Sequence, residues 1–488
     1  MTSFAKAATL NSRRTFTENG ATALSSTGSC LLDLFGSIGS LRTADDLRVQ
    51  RLFADAFKED KLLATKMLFY ARDVRGGLGE RKTFRTLLKY NANKHPEIIR
   101  PNIPLISEYG RFDDLYELIG TPLEEEMWAF MKAQFELDEK SMKTNKPCSL
   151  LAKWIKTPDA SSKETRKLGI LTAQKFGTSV YAFKRRLRAL RKYLQIVECK
   201  MSAKEWSEID YQAVPSRAMA LYRKAFDRND KTRYAKYLSS VEKGEDKINS
   251  STLFPYDILE AYCNYRLSLK SSCDRTLEAQ WNALPDYLSE PANALVIADT
   301  SGSMWGRPLM SAVSLAIYFA DRNKGPYHGL WMSFSEDSKV QKLKGETLAQ
   351  KIRSIDTDHW DGNTNLERAF MHVLQIALEN KVPQDEMPKS LVVISDMQID
   401  RCVGEWSFYD EMRKRFNRAG YEIPGVVFWT VDSRQDTFHA DKSRKGVQVC
   451  SGQSASTFKH LMGAINCTAM ELMAKVLNGE RYAPITIG

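Results

Sequence analysis

The chain has 488 residues, enough for roughly two to four domains, and its 43% apolar and 27% charged residues are those of a folded globular protein. Its formal charge of +11 is uneven: residues 1–290 hold 48 Lys+Arg against 37 Asp+Glu, whereas residues 291–488 hold 23 of each. No run of about 18 apolar residues exists to span a membrane as a helix, and the eight cysteines and six histidines show neither a CxxC pair nor ligand spacing, which points to reduced thiols in a cytoplasmic protein and away from zinc.

Residues 1–30 are rich in Ser and Thr, lack the apolar core of a secretory signal, and read as an extended N-terminal arm. From 31 to 288 the apolar pattern is helical: Leu62, Leu63, Met67, Leu68 and Tyr70 form one stretch and Phe84, Leu87, Leu88 and Tyr90 another. Pro101 and Pro104 interrupt the chain before Ile106 to Ile119 resume a helical period, and alternating strands are absent. Many short amphipathic helices in succession predict stacked helix pairs, an α-solenoid, although no repeat with a fixed motif is visible. Between two of these stretches, Gly76, Gly77 and Gly79 suit a tight helix–helix turn in which Asp73 or Glu80 pairs with nearby arginines; a ligand-binding loop is the alternative. It is not a phosphate loop, because the GK[ST] ending is missing and no strand precedes it.

The positive charge peaks at 151–200, with 13 basic against 3 acidic residues. A helix is predicted from Tyr181 to about Val197, with Phe183, Leu187, Leu190, Leu194 and Val197 as its buried stripe. Lys184, Arg185, Arg188, Arg191 and Lys192 then share its exposed face, Arg186 sits at the apolar edge, and no acid on the helix neutralises them. Such a face is expected to contact phosphates, extended by Arg217, Arg223 and Lys224, giving salt-dependent affinity for a polyanion without sequence readout. A merely solvated basic face is the plainer alternative.

Near Glu290-Pro291 the pattern changes to alternating strands and helices, which sets a second region at 289–488. Strands are predicted at Ala294 to Asp299, Leu330 to Phe334, Leu391 to Ser395, Gly425 to Val431 and Val447 to Cys450, and helices at Pro308 to Asn323, 365–379, 405–419 and 456–477. This alternation predicts a mostly parallel, Rossmann-like sheet with helices on both faces, binding its ligand at the carboxyl ends of the strands. Asp299-Thr300-Ser301-Gly302-Ser303 follows the first strand, Thr364 lies in a loop before a helix, and Asp396 ends a strand. Three loops thus bring oxygen donors to one rim, as a hard cation requires.

The spacing Asp-x-Ser-x-Ser with a later threonine and aspartate resembles the metal-ion-dependent adhesion site of von Willebrand factor A-type domains. The resemblance implies Mg²⁺ (or Mn²⁺) held directly by Ser301 and Ser303, with Asp299, Thr364 and Asp396 binding directly or through water, and an open position for a carboxylate from a partner or from this chain. An enzyme is not expected. A phosphatase of the haloacid dehalogenase type needs a second aspartate where Ser301 stands, and a serine hydrolase needs a general base, for which nothing marks His359.

The N-terminal half carries a second resemblance. Thr17-Glu18-Asn19-Gly20-Ala21, Arg72 to Arg81, Gly110-Arg111-Phe112-Asp113-Asp114-Leu115, Ser161 to Thr165, Val214-Pro215-Ser216-Arg217-Ala218-Met219, Lys247-Ile248-Asn249 and Leu253-Phe254-Pro255 resemble an uncharacterised family, some members viral, that joins a helical domain to an A-type domain. In architecture the chain is similar to the Ro (TROVE-domain) family, in which a ring of HEAT-like repeats closed by an A-type domain binds structured and misfolded small RNAs. The expectation is therefore a non-enzymatic RNA-binding protein. The alternative is a protein-interaction or assembly module, viral or self-assembling, whose metal site grips an acidic residue of its partner.

Overall fold

A computed structural model describes residue 9 and residues 12–271, 273–288, 291–401, 408–461 and 467–488. It consists of a helical N-terminal region and a C-terminal mixed sheet with mostly parallel strands. No helix among the described residues is long and apolar enough to cross a membrane.

The arm is more ordered than expected. Its described part forms an antiparallel hairpin of β1 (Arg14–Phe16) and β2 (Thr22–Leu24), Arg14 opposite Leu24. The connecting turn closes on Thr17, whose carbonyl accepts from Gly20 N at 3.0 Å and whose hydroxyl accepts from Ala21 N at 2.9 Å. Gly20 has φ +85°, which suits glycine. Three-residue strands are too short to display a two-residue period, so the pattern search passes over them.

Helices follow, several started by a side-chain oxygen on an orphan amide: Ser29 for Cys30–Ser37, Asp45 for Asp46–Glu59, Asp60 for Lys61–Arg72 and Ser179 for Val180–Tyr193. In Asp46–Glu59 the buried set Val49, Leu52, Phe53, Ala56 and Phe57 recurs at helical steps. The basic helix stops at Tyr193, short of the predicted Val197, because Gln195 takes a left-handed φ of +52°; Val197 instead begins a separate helix, Val197–Ala203. The glycine-rich segment is a turn: a Cβ on Gly77 would lie 2.1 Å from Tyr70 O, and the buried Asp73 and Glu80 are paired with Arg481 and Arg42.

The sheet contains β3 (Ala294–Asp299), β4 (Leu330–Phe334), β5 (Ser338–Lys342), β6 (Ser390–Ser395), β7 (Gly425–Thr430) and β8 (Val447–Ser451), in the order β5-β4-β3-β6-β7-β8. All neighbours are parallel except β4 and β5. The apolar pattern does not reveal β5, since Ser-Lys-Val-Gln-Lys is a mostly polar edge strand. The helix predicted over 456–477 is divided into Phe458–Leu461 and Ala469–Leu477, the second started afresh by a Thr468–Glu471 capping box; residues 462–466 lie outside the described set.

The helical region and the sheet share one core. A single cluster of buried side chains runs from Ala21 to Ile485, through Phe53, Phe69, Phe135, Ile297, Val393 and Trp429. Cys30–Ser37 packs directly on β8, where Ser451 Oγ accepts from Gly39 N at 3.0 Å and donates to Phe35 O at 3.1 Å. A second cluster, around Met219, Phe226, Tyr234 and Tyr237, joins Ser216–Asn229 to Lys231–Glu242.

Candidate metal centre

From β3 the sheet grows one way, to β4, and from β6 the other way, to β7. The chain thus leaves a crevice between the carboxyl ends of β3 and β6, the place where sheets of this kind bind ligands. Asp299 is the last residue of β3 and Asp396 follows β6 directly; both are buried.

Three loops are stitched together here by their backbones. Gly302 N donates to Gly362 O at 3.1 Å, Asp361 N to Thr300 O at 3.1 Å, and Asp400 N to Thr364 O at 3.0 Å. Side chains complete the cluster: Ser301 and Ser303 hydroxyls lie 3.2 Å apart, and Thr364 Oγ1 donates to Ser301 Oγ at 3.1 Å. Asp299 Oδ1 accepts from Ser301 N at 2.9 Å, and its Oδ2 from the Ser395 hydroxyl at 2.5 Å. Asp396 Oδ1 accepts from Gln398 N at 3.1 Å, but its Oδ2 is buried without a hydrogen-bond partner. Asp361 and Met397, non-glycine residues of these loops, have left-handed φ values of +78° and +64°. Such strain collects at sites that a fold holds in place for a ligand.

All five predicted residues therefore come together. Burial and the neighbouring Asp396 push the Asp299 carboxyl well above the usual carboxylate range, and burial raises Asp396 as well. Two buried carboxylates sharing a crevice resist joint ionisation unless a cation joins them. Three hydroxyls and two carboxylates make an all-oxygen donor set of the kind Mg²⁺ or Mn²⁺ takes, and the orphaned Asp396 Oδ2 is the atom such an ion would satisfy. Among the described residues no group of three or more His, Cys, Asp or Glu could hold a metal. His359 belongs elsewhere, its Nε2 lying 2.7 Å from Ser333 Oγ.

Sequence reading missed three neighbours. Ser395, a lone hydroxyl at the end of an apolar strand, fixes Asp299. Arg434, in the loop after β7, brings Nη2 within 3.9 Å of Asp396 Oδ2. The N-terminal hairpin binds the Asp396 loop through Thr17 Oγ1 to Ile399 O at 2.6 Å and Asn19 Nδ2 to Gln398 O at 2.7 Å. Only Ser395 carries a signal that a sequence shows, a polar residue inside an apolar run.

The basic residues are less uniform than their helical wheel. Lys184 pairs with Asp159 at 2.8 Å, Arg186 with Glu139 at 2.6 Å and Arg217 with Asp257 at 3.1 Å. Arg191 donates to the carbonyls of Ala152 at 2.9 Å and Ile155 at 3.3 Å. The neutralising acids come from other elements, which is why inspection of the helix alone finds none. Arg185, Arg188 and Lys192 are exposed and make no ion pair among the described residues. Arg188 and Lys192 line a cleft of about 410 Å³ together with Lys200, Glu205 and Glu208.

A family model described as a domain of unknown function (DUF2828) matches residues 17–169 and 148–293. A second, also described as a domain of unknown function (DUF7788), matches residues 293–481. An uncharacterized protein of Acanthamoeba polyphaga mimivirus is 29% identical over 519 residues, covering 97% of this chain and 88% of its own length. The crystal structure of the Ro (RSR) protein of Deinococcus radiodurans aligns over 93% of this chain and 100% of its own at 14% identity, with a TM-score of 0.34.

Proposed function

The chain belongs to the family described as a domain of unknown function (DUF2828), and from the site itself we propose that it is a non-enzymatic, divalent-cation-dependent binding protein whose C-terminal region is a von Willebrand factor A-type domain. The observation that supports this reading is the convergence of Asp299, Ser301, Ser303, Thr364 and Asp396 around a buried carboxylate oxygen that has no hydrogen-bond partner among the described residues. Ser301 and Ser303 would hold the ion directly, and Asp299, Thr364 and Asp396 would hold it directly or through water. Bound there, Mg²⁺ or Mn²⁺ would be balanced by only two carboxylates, its other ligands being neutral hydroxyls, and could take up the carboxylate of a partner. Ser395 positions Asp299 by its hydroxyl, and Gln398 N positions Asp396. Mn²⁺ titration followed by electron paramagnetic resonance tests the reading: one bound ion is expected, lost in Asp396→Ala and Thr364→Ala. Unaltered binding in both variants rejects it.

The second reading, RNA binding by a helical region of HEAT-like, Ro-like architecture, rests on the exposed and unpaired Arg185, Arg188 and Lys192 in the half of the chain that carries the whole charge excess. Protein purified at low salt should show a raised 260/280 nm absorbance ratio that falls with ribonuclease. A clean ratio from the start favours an assembly module, its metal site gripping an acidic partner.

A further inference from the structure

Arg434 sits between the metal centre and the N-terminal hairpin, and touches both. Its Nη2 donates to Ser303 O at 2.6 Å and stands 3.9 Å from Asp396 Oδ2, beyond hydrogen-bond reach. Its Nη1 lies 4.0 Å from Glu18 Oε2, and its Nε 4.0 Å from Asp432 Oδ2. The side chain is 41% exposed, and no contact to an acid is close enough to fix it. The two waiting acids are themselves anchored. Asp432 accepts from the Thr43 hydroxyl at 2.9 Å, and Glu18 is held by its own backbone N on Gln398 Oε1 at 2.9 Å and by Gln435 Nε2 at 3.3 Å. Glu18 therefore belongs to a hairpin fastened to the same loop that carries Asp396.

We propose that Arg434 is a resident counter-cation of the metal centre, displaced when a divalent ion binds and then retained by Glu18 and Asp432, so that the N-terminal hairpin sets the affinity of the centre. This rests on the metal reading above. Asp396 needs a positive charge in either state: without the ion the guanidinium supplies part of it from 3.9 Å, and with the ion that guanidinium becomes a like charge at close range. The contact with Asp396 is loose enough to exchange, and the bond that displacement must break is the one to Ser303 O. Glu18 lowers the cost of exchange because it offers the departing guanidinium a carboxylate already within 4.0 Å. The hairpin is thereby coupled to site occupancy through one side chain.

Mn²⁺ affinity of the full-length chain, measured by calorimetry without any partner, tests this. Arg434→Gln is expected to bind about tenfold tighter than the wild type, and Arg434→Lys, which keeps the charge, close to wild type. Glu18→Gln is expected to bind several-fold weaker, and to have no effect once Arg434 is already Gln, because its influence runs through that guanidinium. Affinity unchanged or weakened in Arg434→Gln overturns the proposal. So does a Glu18→Gln effect of equal size in both backgrounds, which would place Glu18 on the ion itself. If neither the wild type nor Arg434→Gln binds Mn²⁺, the metal reading falls and the proposal with it. If the wild type binds, Asp396→Ala does not, and Arg434→Gln equals wild type, the proposal alone is lost.

Discussion

Asp73 and Arg481, 408 positions apart, form a two-pronged ion pair, with Arg481 Nε and Nη2 at 2.9 and 3.0 Å from the two carboxylate oxygens. Asp73 is fully buried, and Tyr482 Oη donates to the same carboxylate at 3.2 Å. Arg481 also reaches Glu108 at 3.1 Å, and its backbone carbonyl accepts from Tyr109 Oη at 2.5 Å. The end of the chain is thus fastened into the first helices, and the shared core makes this joint part of one structural unit rather than a contact between independent domains.

Arg481→Ala removes both prongs and leaves the Asp73 charge buried beside only the Tyr482 phenol and one backbone amide, Arg75 N. Truncating one side of a buried pair typically costs about 3–5 kcal/mol. Arg481 is one-third exposed, so water can reach the vacated side and about 2–3 kcal/mol is expected here. Urea unfolding should show that loss in one transition, with helical and sheet signals falling together. A loss below about 0.5 kcal/mol would mean the joint does not hold the halves together.

Much of this architecture is legible in the sequence because its strands are apolar runs ended by functional residues. Ala294 to Asp299 and Ser390 to Ser395 are buried on both faces, so burial leaves only the strand ends free to carry Asp299 and Asp396. The polar edge strand Ser338–Lys342 and the three-residue strands of the hairpin have no such signature. The pairing of charges is illegible for a different reason. Asp159 and Glu139 meet Lys184 and Arg186 only through tertiary packing, and no periodicity within Val180–Tyr193 encodes that. Arg434 and Glu18 likewise converge from opposite ends of the chain.

The basic surface divides into two kinds of residue with opposite expected phenotypes. Arg185→Glu, Arg188→Glu and Lys192→Glu together should abolish RNA retention and leave the melting temperature within a degree or two, since none makes an ion pair among the described residues. Arg191→Ala should instead destabilise by about 1–2 kcal/mol, because the carbonyls of Ala152 and Ile155 lose a charged donor. Gel-shift binding and thermal melting of the two variants check both halves. RNA retention by the triple variant removes this helix from the RNA reading.

Ser395 supplies a prediction about positioning. Its hydroxyl donates to Asp299 Oδ2 at 2.5 Å and accepts from Met397 N at 2.9 Å. Ser395→Ala leaves both groups unpaired in a buried crevice, a loss of about 1–3 kcal/mol without metal. Mn²⁺ affinity should fall as well, while Ser395→Thr, which keeps the hydroxyl, should restore it in part. Undiminished Mn²⁺ affinity in Ser395→Ala would show that Asp299 needs no such orientation.

The last prediction concerns acid. His439 is buried against Phe428, ring centroids 5.3 Å apart, with Nε2 3.3 Å from Met397 O, and burial lowers its pKa from 6.5 to about 4. In the unfolded chain the imidazole takes up a proton near 6.5, while in the fold it resists until about 4. Between those values the unfolded state binds more protons, so stability rises with pH. The contribution is therefore complete above about 6.5, is lost as pH falls, and stops changing below about 4, on the order of 3 kcal/mol in total. Phe438, the preceding residue, exchanges backbone hydrogen bonds of 2.8 Å with Leu24 of β2, so acid strain at His439 should loosen the hairpin first. His439→Phe keeps the tilted ring contact with Phe428 and removes the titration. Urea melts from pH 4 to 7 should show a flatter stability profile for this variant than for the wild type, and parallel profiles would clear His439 of any part in the acid response.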